Sequence, residues 1–315
     1  MIALKKLSLL LAGCLVFTFS NGQQIPSKPS SYPVFTPLIL NPGIAGSKDF
    51  SRVELVSRIN GSQGAQMLTY HTRLKSANAG ATGGPSSFSN FGIGGYVFHD
   101  RLSSTRTLGT GLSGAYHIPL GTKKVSGLSI GLSLHALYNM ETGNGETTAP
   151  VTNTLDPNSD LGIYYYGPRG FLGISSVNLL SLRADSVPVI NSDLSIPNEH
   201  LLYGGFRMVL SRNREIVLEP SVIMHLHDSV FSDIERNITP ILKIYVQNAC
   251  FGTYFRNFDR LAFFLQYQFP RFYTGVNASF PRNQMLISND QLTIEIALGL
   301  NLGRTERTST QPYRW

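Results

Sequence analysis

Apolar side chains alternate with small or polar ones along most of the chain between residues 51 and 303. Across residues 128–136, leucine, isoleucine or alanine stands at every second position, with serine, glycine or histidine in between. Residues 292–303 repeat the pattern with leucine and isoleucine. Because successive side chains of a β-strand point to opposite faces, a period of two indicates strands and not helices. The pattern therefore predicts an all-β protein.

The alternation divides the chain into about fourteen predicted strands. They lie near residues 51–59, 64–74, 88–99, 106–118, 126–138, 159–167, 170–180, 200–211, 215–227, 236–246, 248–257, 260–269, 271–281 and 291–302. An even number of strands is typical of closed single-chain bacterial barrels.

An export signal precedes these strands. A lysine pair is followed by an apolar run at residues 7–19 and by a small-x-small cleavage pattern that ends at Gly22. This order predicts a signal peptide over residues 1–22. The alternative is a lipoprotein box at residues 11–14, which would acylate Cys14. The apolar run continues beyond that box, where a lipoprotein usually turns polar, and this favours the simple signal peptide.

The strand series and the export signal together predict the fold and its location. A single alternating strand fits any half-buried sheet, but a long series behind a secretory signal indicates a single closed antiparallel transmembrane β-barrel of the outer-membrane type, across residues 51–303. No other stretch reaches the roughly 18 consecutive apolar residues of a membrane helix, so strands must do any spanning. Charged residues make up 14% of the chain, whereas soluble domains contain about 25%. Contact with outer-membrane lipid explains the deficit.

The lengths of the predicted connections agree with a barrel, which has short periplasmic turns and longer external loops. If both ends of the barrel chain are periplasmic, the odd-numbered connections face outward. The long connections at 139–158, 181–199, 228–235 and 282–290 are all odd-numbered. The Gly-rich connection at 75–87 is the exception, because it is long and would face the periplasm.

Charge and cysteine content exclude some partners and chemistry. The net charge of +7 falls to +5 without the lysine pair of the signal peptide. Since the remaining Lys and Arg residues are scattered, nothing indicates a nucleic-acid partner. Cys250 is the only cysteine after residue 22, so the mature chain is predicted to have no internal disulfide and to pack this thiol as a small apolar group.

Two segments flank the predicted barrel. Residues 23–50 contain five prolines and cannot form a strand ladder. They are predicted to form either a linker or plug in the barrel mouth, or a periplasmic docking segment. Residues 304–315 form a C-terminal tail.

The search for catalytic or metal sites gives no convincing candidate. His225 and His227 are two residues apart, so on a strand their side chains would point the same way, as in some zinc sites. A zinc site needs at least a third ligand, and the sequence spacing identifies none. A hydrolase would need serine, histidine and an orienting acid or amide together. The residue types are present on the less apolar faces of the strands, but in the predicted hairpin His117 and His135 lie far apart. We therefore expect no enzyme activity, no metal and no cofactor.

Charged residues on the predicted strands give the remaining candidate site. Glu215 and Glu219 are predicted to share one face of a strand, and Arg207 lies on the strand before it. Because a carboxylate that faces lipid is costly, these residues should point into the lumen, where the carboxylates can pair with Arg207. Such pairs are either structural or part of a polar path for a ligand.

The segment from Tyr32 to Gly46 is the most distinctive in the chain, and it contains Asn41, Pro42, Gly43, Ala45 and Gly46. It resembles the Asn-Pro-Ala-x-Ala-Gly signature that opens the PorP/SprF family of type IX secretion proteins, with Gly43 in place of the usual alanine. Further stretches are similar to later parts of that family: residues 161–180, 200–226, 252–256 and 263–280. Two departures stand near the end of the chain: Ser288-Asn289-Asp290 replaces a Gly-Ser-His-Glu motif, and a tail follows the last strand.

This resemblance implies a non-enzymatic outer-membrane barrel of the type IX secretion system. Such a protein would help to deliver or anchor secreted surface proteins such as gliding adhesins, and it would contact the periplasmic ring of the machinery. The alternative function is an outer-membrane channel for small molecules. The local chemistry agrees with a bend at the motif, since Asn-Pro starts turns and Gly43 would permit a positive φ.

Overall fold

The computed structural model describes residues 31–48, 50–60, 63–75, 88–102, 105–120, 126–141, 152–179, 184–185, 199–226, 237–256, 260–281 and 292–303. The predicted signal peptide, Cys14, the long loops, most of the 75–87 connection, His227 and the C-terminal tail lie outside these residues. No helix within the described part of the chain is both long and apolar enough to cross a membrane.

Sixteen strands form one antiparallel sheet. They are β1 (Ser51–Asn60), β2 (Gln63–Lys75), β3 (Phe88–Leu102), β4 (Thr105–Leu120), β5 (Ser126–Glu141), β6 (Thr152–Gly167), β7 (Gly170–Val177), β8 (Ala184–Asp185), β9 (Glu199–Phe206), β10 (Met208–Ser211), β11 (Ile216–Leu226), β12 (Ile238–Val246), β13 (Ala249–Arg256), β14 (Arg260–Gln268), β15 (Phe272–Pro281) and β16 (Thr293–Leu302).

The sheet closes on itself. Neighbours in sequence pair along the wall, β16 pairs with β1, and β9 pairs with both β7 and β11. Strands β9 and β10 are one wall strand interrupted at Arg207, and the short β8 pairs only with β6 at the side. The wall therefore has fourteen strands. The predicted all-β fold, a closed antiparallel barrel, is confirmed.

One stretch that was predicted to be a loop is strand. Residues 139–158 were expected to form a single long connection, but β5 continues to Glu141 and β6 begins at Thr152. The reason lies in the inward face of β6, where Asp156, Asn158 and Asp160 are buried in the lumen. Polar residues at lumenal positions lengthen a barrel strand without adding to its hydrophobic pattern.

The two faces of the wall have opposite polarity from those of a soluble protein. Along β16, Leu and Ile at alternate positions are exposed, while Thr293, Glu295 and Asn301 are buried. The same inversion holds on β4, where Leu112 is 75% exposed and His117 is fully buried. An apolar face outward and a polar face inward is the pattern of a barrel surrounded by lipid.

The proline-rich segment before β1 lies inside the barrel. It contains a one-turn helix, α1 (Tyr32–Phe35), and two 3-10 helices, Pro37–Ile39 and Pro42–Ile44. We call residues 31–48 the plug. It begins beside Glu295, near the long-loop end of β16, where the main-chain nitrogen of Ser31 donates to the Glu295 carboxylate at 2.8 Å. It then descends to the opposite end, which carries the described short turns at 168–169, 212–215, 247–248 and 269–271.

Candidate functional site: the plug and the lumenal charges

Asn41 fixes the plug to the barrel wall. Its Oδ1 accepts a hydrogen bond from the main-chain nitrogen of Gly43 at 2.7 Å, which caps the second 3-10 helix. Its Nδ2 donates to the main-chain oxygens of Ile163 at 3.0 Å and Ile174 at 2.9 Å. These two residues face each other across β6 and β7. One side chain therefore holds the turn of the plug and joins it to two neighbouring strands.

Lumenal side chains of the wall satisfy the main-chain oxygens of the plug. Ser175 donates to the oxygen of Leu40 at 2.5 Å, and Ser129 donates to that of Gly43 at 2.6 Å. The Nε2 of His117 lies 2.8 Å from the oxygen of Ala45 and donates to it. Since buried main-chain groups without partners are costly, these contacts let an irregular segment stay in the lumen.

Three glycines on the inner face of the wall make room for the plug. A Cβ atom on Gly92 would lie 2.1 Å from the oxygen of Ala45, and one on Gly162 would lie 2.1 Å from Oδ1 of Asn41. A Cβ on Gly131 would lie 2.3 Å from the nitrogen of Gly43. No side chain fits at such distances. The small residues on these faces form the surface on which the motif rests.

The role predicted for Gly43 is wrong in one respect. Gly43 lies in a 3-10 helix and does not have a positive φ; the residue of the motif that does is Gly46, at +74°. Instead, the position leaves little room for a side chain. A Cβ on residue 43 would lie 2.9 Å from Oδ1 of Asn41 and 3.1 Å from Cβ of Tyr164, and glycine avoids both contacts. The sequence alone indicated a turn but could not show which glycine needed the left-handed conformation.

A cluster of charges lies on the wall formed by β9 to β12. The Nε of Arg207 is 2.6 Å from Oε2 of Glu219, and the Nζ of Lys243 is 3.3 Å from Oε1 of the same carboxylate. The Tyr245 hydroxyl donates to Oε1 at 3.4 Å. We call Arg207, Glu219 and Lys243 the charge triad. It contains two cations and one anion.

Glu215 is not part of this triad. It lies in the turn between β10 and β11, with a φ of +50°, and its side chain is exposed. The structure thus brings Arg207 and Glu219 together but leaves Glu215 at the rim. Sequence analysis also missed Lys243, although its place between outward-facing Leu242 and Ile244 gives the same signal of a charge on the lumenal face.

A second charged group lies on β1, which sequence analysis did not select. Arg52 and Glu54 form an ion pair of 2.8 Å, and the Arg52 guanidinium lies 4.8 Å from the centre of the Tyr273 ring. Thr69 donates to Glu54 at 2.9 Å. Arg58, on the same face, pairs with Asp100 at 2.8 Å. The signal was present in the sequence, because charges alternate with apolar residues along β1.

The candidate histidines His117, His135 and His225 have structural partners. His135 lies 3.2 Å from the carboxylate of Asp160, and His225 pairs with Glu199. His117 and Ser129 face each other across β4 and β5, but both are bonded to the plug. Within the described ranges, no group of three or more His, Cys, Asp or Glu residues is placed to hold a metal ion.

Comparison with known families decides the identity of this barrel. The family profile for the type IX secretion system membrane protein PorP/SprF matches residues 21–300. The chain belongs to this family. The match includes the plug and almost all of the barrel, and it confirms the resemblance that the Asn41–Gly46 motif indicated. Together with the lipid-type surface of the wall, PorP/SprF membership places the protein in the outer membrane.

The PorP/SprF chain is distantly similar to several solved structures. None of the curated proteins matches it. Among solved structures it is similar to the Pseudomonas putida toluene transporter TodX, with 10% identity, a TM-score of 0.45, and 89% of this chain and 95% of that chain covered. It is also similar to BamA from Haemophilus ducreyi lacking POTRA domains 1–3, with 8% identity, a TM-score of 0.40, and 79% and 70% covered. The KdgM porin has 10% identity and a TM-score of 0.37, with 80% and 99% covered.

Proposed function

We propose that this protein is a non-enzymatic component of the type IX secretion system that binds protein partners at its rims. It would help to deliver or anchor secreted surface proteins such as gliding adhesins at the outer face, and contact the periplasmic machinery at the inner face. Membership in the PorP/SprF family supports the link to secretion. The finer roles are our inference.

The plug is the observation that carries this proposal. Its wall partners His117, Ser129 and Tyr273 lie within three residues of the short-turn end of their strands, so the plug fills the lumen close to that mouth. A secreted protein could not pass through the lumen while these contacts persist. Partners must therefore engage the outside of the barrel ends.

The short-turn rim offers a surface for a partner. Arg169, Arg212, Arg214 and Arg271 are exposed on the described turns, and Glu215 is an exposed acid among them. A rim with an excess of positive charge attracts an acidic protein surface and speeds its association. This supports periplasmic contact at the same end as the predicted short turns.

The test is quantitative mass spectrometry of surface and secreted proteins with and without the gene. We expect the loss of one or a few large surface proteins, which would identify a client-specific anchor. Loss of all type IX cargo would instead make the protein a core part of the machinery.

An unchanged surface and secreted fraction would contradict the proposal. The alternative, a small-molecule channel, would then be measured with purified protein in planar bilayers. Steady conductance is the result expected of a channel, and an electrically silent barrel is the result expected of a plugged one.

A further inference from the structure

A cavity of about 140 Å³ lies between the plug and the barrel wall. The plug contributes Val34, Leu40 and Ile44 to its lining, and the wall contributes Ile223 and Ile241 as well as the charge triad. The opposite side of the plug is hydrogen-bonded to β4, β5 and β7 through His117, Ser129 and Ser175, which leaves the space on the triad side. The cavity therefore has an apolar part and a charged part.

The charged part has an excess of positive charge. Arg207 and Lys243 share the single carboxylate of Glu219, which is 1% exposed, so the triad has a net charge of +1. The neighbouring Arg52, which also lines the cavity, is neutralised by Glu54. An uncompensated charge in a partly desolvated site is costly, and a bound anion would remove that cost.

Three uncharged polar atoms on residues of the same lining lack hydrogen-bond partners. Within the described residues, these buried atoms are Nδ1 of His71, the hydroxyl oxygen of Tyr203 and Oδ1 of Asn301. Buried polar groups are almost always paired, by protein, water or ligand. These atoms do not belong to the charge triad, so the polar surroundings of the cavity are incompletely hydrogen-bonded within the protein itself.

The size of the cavity limits the occupant to a small molecule. A cavity of about 150 Å³ in another protein binds benzene, which has six carbon atoms. The space here, about 140 Å³, suits a molecule of similar size. We propose that the cavity binds a short-chain monocarboxylate, with the carboxylate against the ammonium group of Lys243 and the alkyl chain against the apolar side of the plug.

The proposal is tested by isothermal titration calorimetry on the full mature protein in detergent micelles. The probes are butyrate, which has six non-hydrogen atoms, and butyramide, its neutral analogue of the same shape. We expect butyrate to bind with one site per chain, and butyramide to bind at least tenfold more weakly. Failure of butyrate to bind, or equal affinity for both compounds, would overturn the proposal.

Two variants show whether binding depends on the triad. Lys243→Met removes the excess charge and leaves the pair between Arg207 and Glu219, and we expect it to reduce the affinity for butyrate at least tenfold. Arg212→Met removes an exposed cation at the rim and should bind butyrate like the unmodified protein. Both variants are first checked for heat-modifiable migration, which reports a folded barrel. If folded Lys243→Met binds butyrate with unchanged affinity, the site is not the one proposed.

Discussion

His117 and Ala45 are joined by a hydrogen bond of 2.8 Å between the Nε2 of the ring and the main-chain oxygen of the plug. The two residues are 72 positions apart in the sequence, and both are completely buried. The other ring nitrogen of His117 contacts the Tyr166 hydroxyl at 3.1 Å, which fixes the orientation of the ring. This bond is one of the contacts that retain the plug at the short-turn end of the lumen.

The substitution His117→Ala should loosen the plug without unfolding the barrel. It leaves the oxygen of Ala45 buried without its partner, at a cost of about 1–3 kcal/mol. We expect Ala45→Cys, in a Cys250→Ala background, to react with maleimide about tenfold faster or more, since 1.4 kcal/mol is a factor of ten. His200→Ala is the control, because His200 is exposed on the outer face of the wall, where it contacts Ser176 and not the plug. Equal labelling rates in both variants would contradict the retaining role of His117.

Substitutions at Gly43 should have graded effects. A Cβ meets its neighbours at 2.9 to 3.2 Å, so Gly43→Ala requires shifts of a few tenths of an ångström, whereas the branched side chain of Gly43→Val cannot be accommodated. We expect moderately reduced amounts of barrel for the alanine variant and strongly reduced amounts for the valine variant. The measurement is the heat-modifiable band in outer-membrane fractions. Normal levels of folded barrel for Gly43→Val would show that the barrel assembles even when the plug cannot occupy its position in the lumen.

Neutralising the anion of the charge triad should destabilise the barrel more than neutralising one of its two cations. Glu219→Gln leaves Arg207 and Lys243 close together without an anion, while Arg207→Gln leaves Glu219 paired with Lys243. Breaking a buried pair costs about 3–5 kcal/mol when a charge is left uncompensated. We therefore expect Glu219→Gln to lower the free energy of unfolding in urea more than Arg207→Gln does. The reverse order would mean that Lys243 does not stabilise the Glu219 carboxylate.

An arginine on the outer face should be costly in proportion to its depth in the lipid. Leu112 lies in the middle of β4, so Leu112→Arg should cost about 2–4 kcal/mol, the value for a bilayer midplane. Leu210 lies near the short-turn end, and Leu210→Arg should cost about 0–1 kcal/mol. Urea titrations of folding into phospholipid vesicles measure both. Similar stabilities of the two variants would be incompatible with a lipid-facing position for Leu112.

Much of the wall was predictable from local sequence. All fourteen predicted wall strands are present, because each one must put apolar side chains toward lipid at every second position. The errors fall where the lumenal face is strongly polar, as at the start of β6, or where a strand ends in a turn, as at Glu215. At such places the alternation that marks a strand is weakened.

The sequence by itself determined the strand period, the lipid-facing side and the family motif, since each of these depends on residues close together in the chain. Only the tertiary structure decided what the lumen contains. The bond from Ser31 to Glu295 spans 264 positions, and the fit of Gly92, Gly131 and Gly162 to the plug depends on closure of the whole barrel. A glycine in the sequence of a strand does not reveal which main-chain segment will pack against it. A charged residue at a lumenal position likewise does not reveal which residue it will pair with. Both are set by the register of strands that are distant in sequence, which no local pattern encodes.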